Sequence, residues 1–328
     1  MKKVLSLILA LAMVFALVAC GEKQPATDGD ASSDGDKPAR GNVIMTFGTA
    51  DTGGSMYPAG AAVSQVWTNN VQGVKCNTQT STGSFQNCQD VSTGEVDVAV
   101  ATSDVVLNAY NGTGKFADIG KLDNLRVIGA VYTSVLSGVA LKSSGLTYIH
   151  ELLGKRVAVG PAASATENAT LAAFAAMDIT KDNTSLENLG LGDGILDAAF
   201  GFAGLPIGGQ LNLAATKEIQ VLDMTQEEID KVLAGNAAYI QTKIPAGTYT
   251  GQDNDANTFG VKCLIIVTAD MDADLVYDLC KAMNEHTEEM AAGNALLKDM
   301  TDPSFLCTQM PIPLHDGAQK YYSEQGLI

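Results

Sequence analysis

Histidine is scarce in this chain, with three in 328 residues, and His150, His286 and His315 stand too far apart for a metal-ligand spacing. Basic residues are also short, 20 Lys and Arg against 37 Asp and Glu, for a formal charge of −17. That balance excludes nucleic acid as a partner and argues against broad electrostatic capture of anions, so an anionic ligand has to be held by local groups in a sheltered site. No Gly-x-Ser-x-Gly elbow occurs, which removes serine hydrolases of that type. Gly190-Leu191-Gly192-Asp193-Gly194 fails the spacing of a dinucleotide loop and follows no clear strand. Asp253-Asn254-Asp255-Ala256-Asn257 begins like a calcium loop but lacks the next glycine and has Leu264 where the bidentate glutamate belongs. The acid pairs Glu227-Glu228 and Glu288-Glu289 read as solvated helix faces. No catalytic residue, metal or cofactor is therefore expected, and the chain does not read as an enzyme.

Cysteine gives no framework either. Of six, Cys20 belongs to the leader discussed next, and Cys76, Cys88, Cys263, Cys280 and Cys307 are an odd number at irregular spacings. A bridge between Cys76, in an expected strand, and Cys88, in the following helix, stays open. Cys263, inside the apolar run 261–267, reads as buried packing.

What the chain does have begins at its start. Met1-Lys2-Lys3, an uncharged apolar stretch over 4–19, and Leu17-Val18-Ala19-Cys20 form a lipoprotein signal. The apolar stretch is too short for a membrane-spanning helix, which needs about 20 residues. Residues 1–19 are expected to be removed and the Cys20 thiol to carry a lipid, tethering the protein outside the cytoplasmic membrane. Removing Lys2 and Lys3 with a segment that contains no acid moves the charge from −17 to −19. Residues 20–42 are rich in Gly, Ser, Asp and Pro and read as a solvated linker. The remainder, 43–328, is longer than one compact core usually serves, so two lobes are expected.

Within that remainder, strand, small polar loop and helix recur. Strands are expected over 43–49, 71–79 and 96–101. They are followed by Asp51-Thr52-Gly53-Gly54-Ser55, by Ser81-Thr82-Gly83-Ser84 and by Thr102-Ser103-Asp104, and then by helices over 57–69, through 91 and through 109. A similar unit has a strand over 155–159, the loop Gly160-Pro161-Ala162-Ala163-Ser164-Ala165-Thr166 and a helix over 167–177; residues 196–202 lead into Ala203-Gly204-Leu205-Pro206 and a helix over 207–215. Such alternation implies parallel strands with helices on the faces of an α/β fold, and puts the loops at the strands' carboxyl ends, where open sheets place ligands. The apolar stretches 135–141 and 261–268 would carry the chain between lobes as a paired hinge.

Each loop presents unpaired amides at a helix start, flanked by hydroxyls, a seat for a carboxylate or other anion. An aligned terminus contributes about 0.3 to 1 kcal/mol when exposed and up to about 2 when partly buried, so several converging termini supply much of the roughly 8 kcal/mol that micromolar capture needs. No Arg or Lys lies in the loops around Ser55, Ser84, Ser103 and Ser164. Against this stands the plainer role of Ser, Thr and Gly as helix caps.

The ordered set Asp51-Thr52-Gly53-Gly54-Ser55-Met56-Tyr57-Pro58, Gln79-Thr80-Ser81-Thr82-Gly83-Ser84, Gly94-Glu95-Val96-Asp97-Val98-Ala99 and Ser103-Asp104 leads to two distal motifs. These are Ile244-Pro245-Ala246-Gly247-Thr248-Tyr249-Thr250-Gly251-Gln252-Asp253 and Pro311-Ile312-Pro313-Leu314-His315-Asp316-Gly317-Ala318. Together they resemble the TAXI family of solute receptors for tripartite ATP-independent periplasmic (TRAP) transporters over essentially all of 43–328. The resemblance implies a two-lobed, type II periplasmic-binding-protein fold: each lobe a mostly parallel sheet flanked by helices, joined by a two-strand hinge, with lobe one 43–134 plus 262–328 and lobe two 135–261. It implies a small anionic or zwitterionic ligand, an organic acid or a glutamate-like amino acid, delivered to a TRAP permease of fused subunits. Carried over by motif, Gly54, Ser55, Tyr57, Ser81, Thr82, Gly83, Ser84 and Ser103 would form the first lobe's wall. Tyr132 would lie near the cleft floor, and Ser164, Ala165 and Thr166 would close from the second lobe with Phe202 and Gly204 nearby. Where the family reads Gly-Ser-Gly-Thr-Glu, this chain reads Ala163-Ser164-Ala165-Thr166-Glu167, and the added Cβ atoms narrow close approach. The alternatives are a receptor of the same architecture for an ATP-driven importer of a sulfonate, thiamine-like compound or nitrate, and a lipoprotein that reports ligand to a sensor or acts as an adhesin.

Overall fold

The computed structural model describes residues 41–52, 54–162, 164–189 and 196–328. The signal segment, Cys20 and nearly all of the linker, together with Gly53, Ala163 and the Gly190 to Gly194 stretch, lie outside the described residues. The described residues form one compact unit, and none of the described helices is long and apolar enough to cross a membrane.

The three leading units appear as β1 (Val43–Gly48) and α1 (Met56–Asn70), β2 (Val74–Gln79) and α2 (Ser84–Thr93), β3 (Val98–Thr102) and α3 (Ser103–Asn111). The second strand starts at Val74 rather than 71, because the Val71 amide still donates to Trp67 O (3.0 Å) as the cap of α1 and Gly73 turns the chain at φ 76°. β1 pairs in parallel with both β2 and β3. After β4 (Leu125–Leu141) come β5 (Arg156–Ala158), α4 (Ala165–Ala175), β6 (Ser185–Glu187), β7 (Ala198–Ala203), α5 (Gly208–Ala214), β8 (Ile219–Val221), α6 (Gln226–Gly235), β9 (Tyr239–Ile244) and β10 (Ala256–Thr268). β5 pairs in parallel with β6 and β7. The chain closes with α7 (Ala273–Glu285), α8 (Thr287–Gly293), a 3-10 segment Ala295–Thr301, α9 (Pro303–Cys307) and α10 (Asp316–Glu324).

The two parallel groups are not separate sheets. β4, of 17 residues, and β10, of 13, are longer than the expected 135–141 and 261–268, and their antiparallel ladder fuses everything into one mixed sheet in the order β2-β1-β3-β10-β4-β7-β5-β6. β10 pairs with β3 over Cys263 to Ile266 and with β9 over Ala256 to Val261, so β3 gives way to β9 along it. At that changeover Gly260 lies so close to β4 that an added Cβ would stand 2.4 Å from the Ser134 carbonyl oxygen.

Alternate strand residues feed opposite layers, as the pleat requires. Phe47, Val98, Val100, Cys263 and Ile265 pack with Val63 and Trp67 of α1, Leu279 of α7 and Tyr322 of α10. Ala99, Ala101, Leu264 and Ile266 pack with Cys88 and Val91 of α2 and Val106 of α3 on the other side. Cys76 belongs to the first layer and Cys88 to the second, so no bridge joins them; the five described cysteines are free and buried. In the later half, Val157, Val159 and Phe200 pack with Phe174 of α4 and Ile229 of α6, while Val139, Val221 and Tyr249 form a smaller cluster.

Candidate functional site

The loops at the carboxyl ends of β1, β2 and β3 are bound to one another. The Thr49 carbonyl oxygen accepts from Ser81 Oγ (2.9 Å) and from Asn87 Nδ2 (2.6 Å), and Asn87 Nδ2 also donates to Val100 O (2.6 Å). Ser84 Oγ accepts from the Thr102 amide (3.0 Å), and Ser81 Oγ from the Gly83 amide (2.9 Å). Gly83, at φ 109°, holds a conformation that favours glycine. Thr82 is exposed and points at Gln86 Oε1 through both its amide (2.9 Å) and its hydroxyl (3.0 Å). Gly54, Ser55 and Tyr57 are half-buried at the start of α1, where the Ser55 side chain makes no cap hydrogen bond.

Ser103 behaves differently. It is buried, and its hydroxyl donates to Ala238 O (3.1 Å) in the link between α6 and β9, 135 residues away. Asn87 joins this region unannounced by any motif reasoning, and Asp104, quoted within the Ser103-Asp104 motif, was given no role there. Asp104 Oδ1 is buried with no hydrogen-bond partner, and burial pushes its carboxyl above the usual carboxylate range against hydrogen bonds from the Thr102 side chain and local amides. The same carboxylate helps raise the Tyr239 phenol to about 12, after burial as the main cause.

A second group stands at the carboxyl end of β5. Ser164 is the N-cap of α4, its Oγ accepting from the Glu167 amide (3.1 Å), so the capping role is realised here. Ala165 is exposed, and Thr166 lies over Gly160, where a Cβ would stand 2.7 Å from Thr166 Cβ and Cγ2. Asn188 Nδ2 ties this loop by donating to Gly160 O (3.2 Å) and Glu167 Oε1 (2.6 Å).

Tyr132 and Gly204 meet where β4 pairs with β7. A Cβ at Gly204 would stand 3.2 Å from Tyr132 Cδ2 and 1.9 Å from Leu296 Cδ1. Tyr132 is fully buried beside Ser134 and Cys263, and burial holds its phenol well above the ordinary value. Phe202 is half-buried against the second-half core. A buried network missed in the sequence anchors the loop beyond Gly204. Tyr249 Oη accepts from the Ile207 amide (3.0 Å), Ser137 Oγ donates to Gln210 Oε1 (2.7 Å), and Gln210 Nε2 donates to Ser137 O (2.8 Å).

The distal motifs are scaffold. Gly247 and Gly251 take positive φ so that the segment around Tyr249 can fold over the small cluster of β4 and β8. His315 caps α10 by accepting from the Gly317 amide (3.2 Å), and a Cβ at Gly317 would lie 2.2 Å from Ala273 O. Asp255, in the rejected calcium segment, pairs with Lys243. Glu228 is not solvated as expected: it is buried, accepts from the Thr225 amide (2.8 Å) in a capping box, and bonds His150 Nδ1 (2.7 Å). An open surface cavity of about 340 Å³ lies elsewhere, lined by Lys142, residues 214–219, Thr250 and Gly251, and holds none of the expected site residues. Among the described residues no group of three or more His, Cys, Asp or Glu could hold a metal.

Several solved structures are similar. The alkanesulfonate-binding protein SsuA from Xanthomonas axonopodis pv. citri, bound to MOPS, is 14% identical, with 88% of this chain and 85% of that chain covered and a TM-score of 0.43. The aliphatic sulphonate binding protein SsuA from Escherichia coli is 12% identical, with coverage of 86% and 82% and a TM-score of 0.45. The probable amino-acid ABC transporter extracellular-binding protein ytmK from Bacillus subtilis is 15% identical, with coverage of 79% and 96% and a TM-score of 0.45. Residues 47–326 match the sequence pattern of one family across both halves of the sheet, and the chain belongs to the NMT1-like family.

Proposed function

We propose that this protein is an extracytoplasmic solute-binding receptor, anchored by a lipid on Cys20, that captures a small organic acid or amino acid and hands it to a TRAP-type permease. The carrying observation is the placement of polar loops. One set closes β1, β2 and β3, another follows β5 and β7, and β4 and β10 run through both halves of the sheet. On this reading, 43–134 with 262–328 and 135–261 are the two lobes. Ligand contacts to both stabilise a closed state only when the site is filled. Gly54, Ser55 and Tyr57 offer half-buried groups at the start of α1, where Ser55 makes no cap bond, and on this reading Ser164, which also caps α4, and Thr166 would close on them from the other lobe. Ser81, Ser84 and Ser103 contribute mainly by fixing the wall, since their hydroxyls are engaged by Thr49 O, the Thr102 amide and Ala238 O.

The test is mass spectrometry of the metabolite that co-purifies with the protein, followed by calorimetry with that compound. Ser164→Ala with Thr166→Ala is expected to weaken binding at least tenfold while the ligand-free protein stays folded; unchanged affinity removes the second-lobe assignment. Uptake by intact cells that survives ATP depletion but stops when the ion gradient is collapsed supports the TRAP permease, and the reverse pattern supports an ATP-driven importer.

A further inference from the structure

Thr133 of β4 and Lys262 of β10 stand directly opposite one another in the antiparallel ladder, so their side chains leave the sheet on the same face. Both grip one segment from the end of the chain. Thr133 Oγ1 donates to Asp299 Oδ2 (2.8 Å), and Lys262 Nζ donates to the carbonyl oxygens of Phe305 (2.8 Å) and Thr308 (2.9 Å). Residues 295–308 are thereby strapped across the two strands that run through both halves of the sheet, two residues from the Val135 and Gly260 pair. Leu297, Met300 and Leu306 of the strap are buried in the core of the first half, so the strap belongs to that half. Leu296 reaches the other one. It is half-buried, and its Cδ1 occupies the place that a Cβ on Gly204 would need; Gly204 is buried and follows directly on β7, whose Ala203 pairs with Val135. Gly204 does not take positive φ, so its missing side chain answers to space and not to backbone conformation. A bend of β4 and β10 that drives Gly204 toward the strap finds no free volume to enter, and a bend away from it opens a gap and forfeits dispersion contacts.

We propose that Leu296 is a hinge stop: a peg carried by the first half and lodged against Gly204 of the second, which limits how far the two halves swing toward each other on this face of the sheet. The assignment rests on the receptor reading above and names what sets the resting angle of its hinge. That angle follows from the combined bulk of residues 296 and 204, while the Thr133 and Lys262 bonds keep the peg from retreating with the strap. On this assignment Gly204 serves the hinge and not the ligand.

The test is the distance between the halves in the full-length protein, refolded from denaturant to remove any bound metabolite and measured by pulsed electron resonance between encoded spin-labelled residues. One pair replaces the exposed Lys121 and Lys181 and a second the exposed Glu95 and Lys231, so that at least one pair does not lie along the hinge axis. Leu296→Ala is expected to shift or broaden the distance distribution by more than about 2 Å in at least one pair. Gly204→Ala is expected to shift it the other way in the wild-type background and much less once residue 296 is alanine, because the peg that the new methyl would strike is gone. Distances unchanged in Leu296→Ala, or a Gly204→Ala shift of equal size in both backgrounds, overturn the stop. Should Gly204→Ala not fold alone, a folded double variant carries the same support and an unfolded one the same refutation. The distances are read without ligand, so the receptor reading is judged separately, by whether any metabolite co-purifies.

Discussion

Lys262 sits in the middle of β10, 3% exposed, with Nζ donating to the carbonyl oxygens of Phe305 (2.8 Å) and Thr308 (2.9 Å) and lying 4.4 Å from the Phe305 ring centroid. It holds the C-terminal end of α9 against the sheet, and burial lowers its ammonium from 10.5 to about 8, with Cys307, Asp302 and Asp299 opposing. At 1.36 kcal/mol per pH unit the depression is worth about 3 kcal/mol. The folded protein releases this proton before the unfolded chain does, so between pH 8 and 10.5 the unfolded state binds more protons and stability rises with pH. Lys262→Met abolishes that contribution. At pH 7 it also strips two carbonyls of a donor, at about 1–3 kcal/mol each, which the relieved ammonium burial partly offsets. The buried thiols act with opposite sign: burial raises Cys76 and Cys263 to about 11, so the folded state keeps protons that the unfolded chain loses above pH 9. That loss is common to both proteins and cancels in their difference. Urea unfolding of the two proteins at pH 7, 9 and 10 should show the wild type gaining on Lys262→Met by ~1 kcal/mol at pH 9 and ~2.5 kcal/mol at pH 10. A difference that stays constant with pH refutes the burial of an ammonium at this position.

Gly260→Ala places a Cβ 2.4 Å from the Ser134 carbonyl oxygen, and since both strands are held in a ladder the expected loss is about 1–3 kcal/mol of unfolding free energy; a loss below about 0.5 contradicts the close approach. Tyr249→Phe leaves the Ile207 amide without its acceptor, at about 1–3 kcal/mol, and should speed hydrogen exchange at that amide; unchanged exchange shows that the amide does not rely on the phenol. Ser103→Ala deprives Ala238 O of a buried donor and should cost about 1 kcal/mol, read by the same unfolding assay, with no change meaning that the contact is not formed in solution.

The leading units were legible because small polar loops separate runs of period two from runs near 3.6, and β1, β2 and β3 appear within a few residues of expectation. The error at Val71 arose because the apolar residues after α1 continue the helix cap rather than start a strand. The first ten residues of β4 were not read as a strand at all, although Leu125, Val127 and Ile128 are buried in it; Tyr132 had drawn attention as a site residue, and it is a core residue at the junction with β7. Lys262 could have been noticed as a lone charge inside an apolar run, but what it caps comes from residues more than 40 positions later. The site was legible as a set of loops and not as a set of free groups. Whether a serine caps a helix, braces a neighbouring loop or stays open depends on which acceptor the fold delivers, and for Ser103 that acceptor is 135 residues away.

The same contacts limit how a receptor built this way can close. The loop after β7 is clamped at one end by Gly204 against Tyr132 and Leu296 and at the other by the Ile207 amide on Tyr249, with Ser137 and Gln210 beneath it. A loop held this way offers little independent travel. β4 and β10 pass through both halves without interruption, and β10 changes partner from β9 to β3 just after its closest approach to β4 at Gly260. Closure under the proposed function is then a bend of two paired strands near Val135 and Gly260 that carries each loop set as a rigid body, and the Ser103 to Ala238 bond lies close to that axis. A contact near the axis can survive the motion, so Ser103 can be a permanent tie, whereas Ser55 and Ser164, at the helix starts after β1 and β5, are under the proposed function the groups that a ligand would bring together.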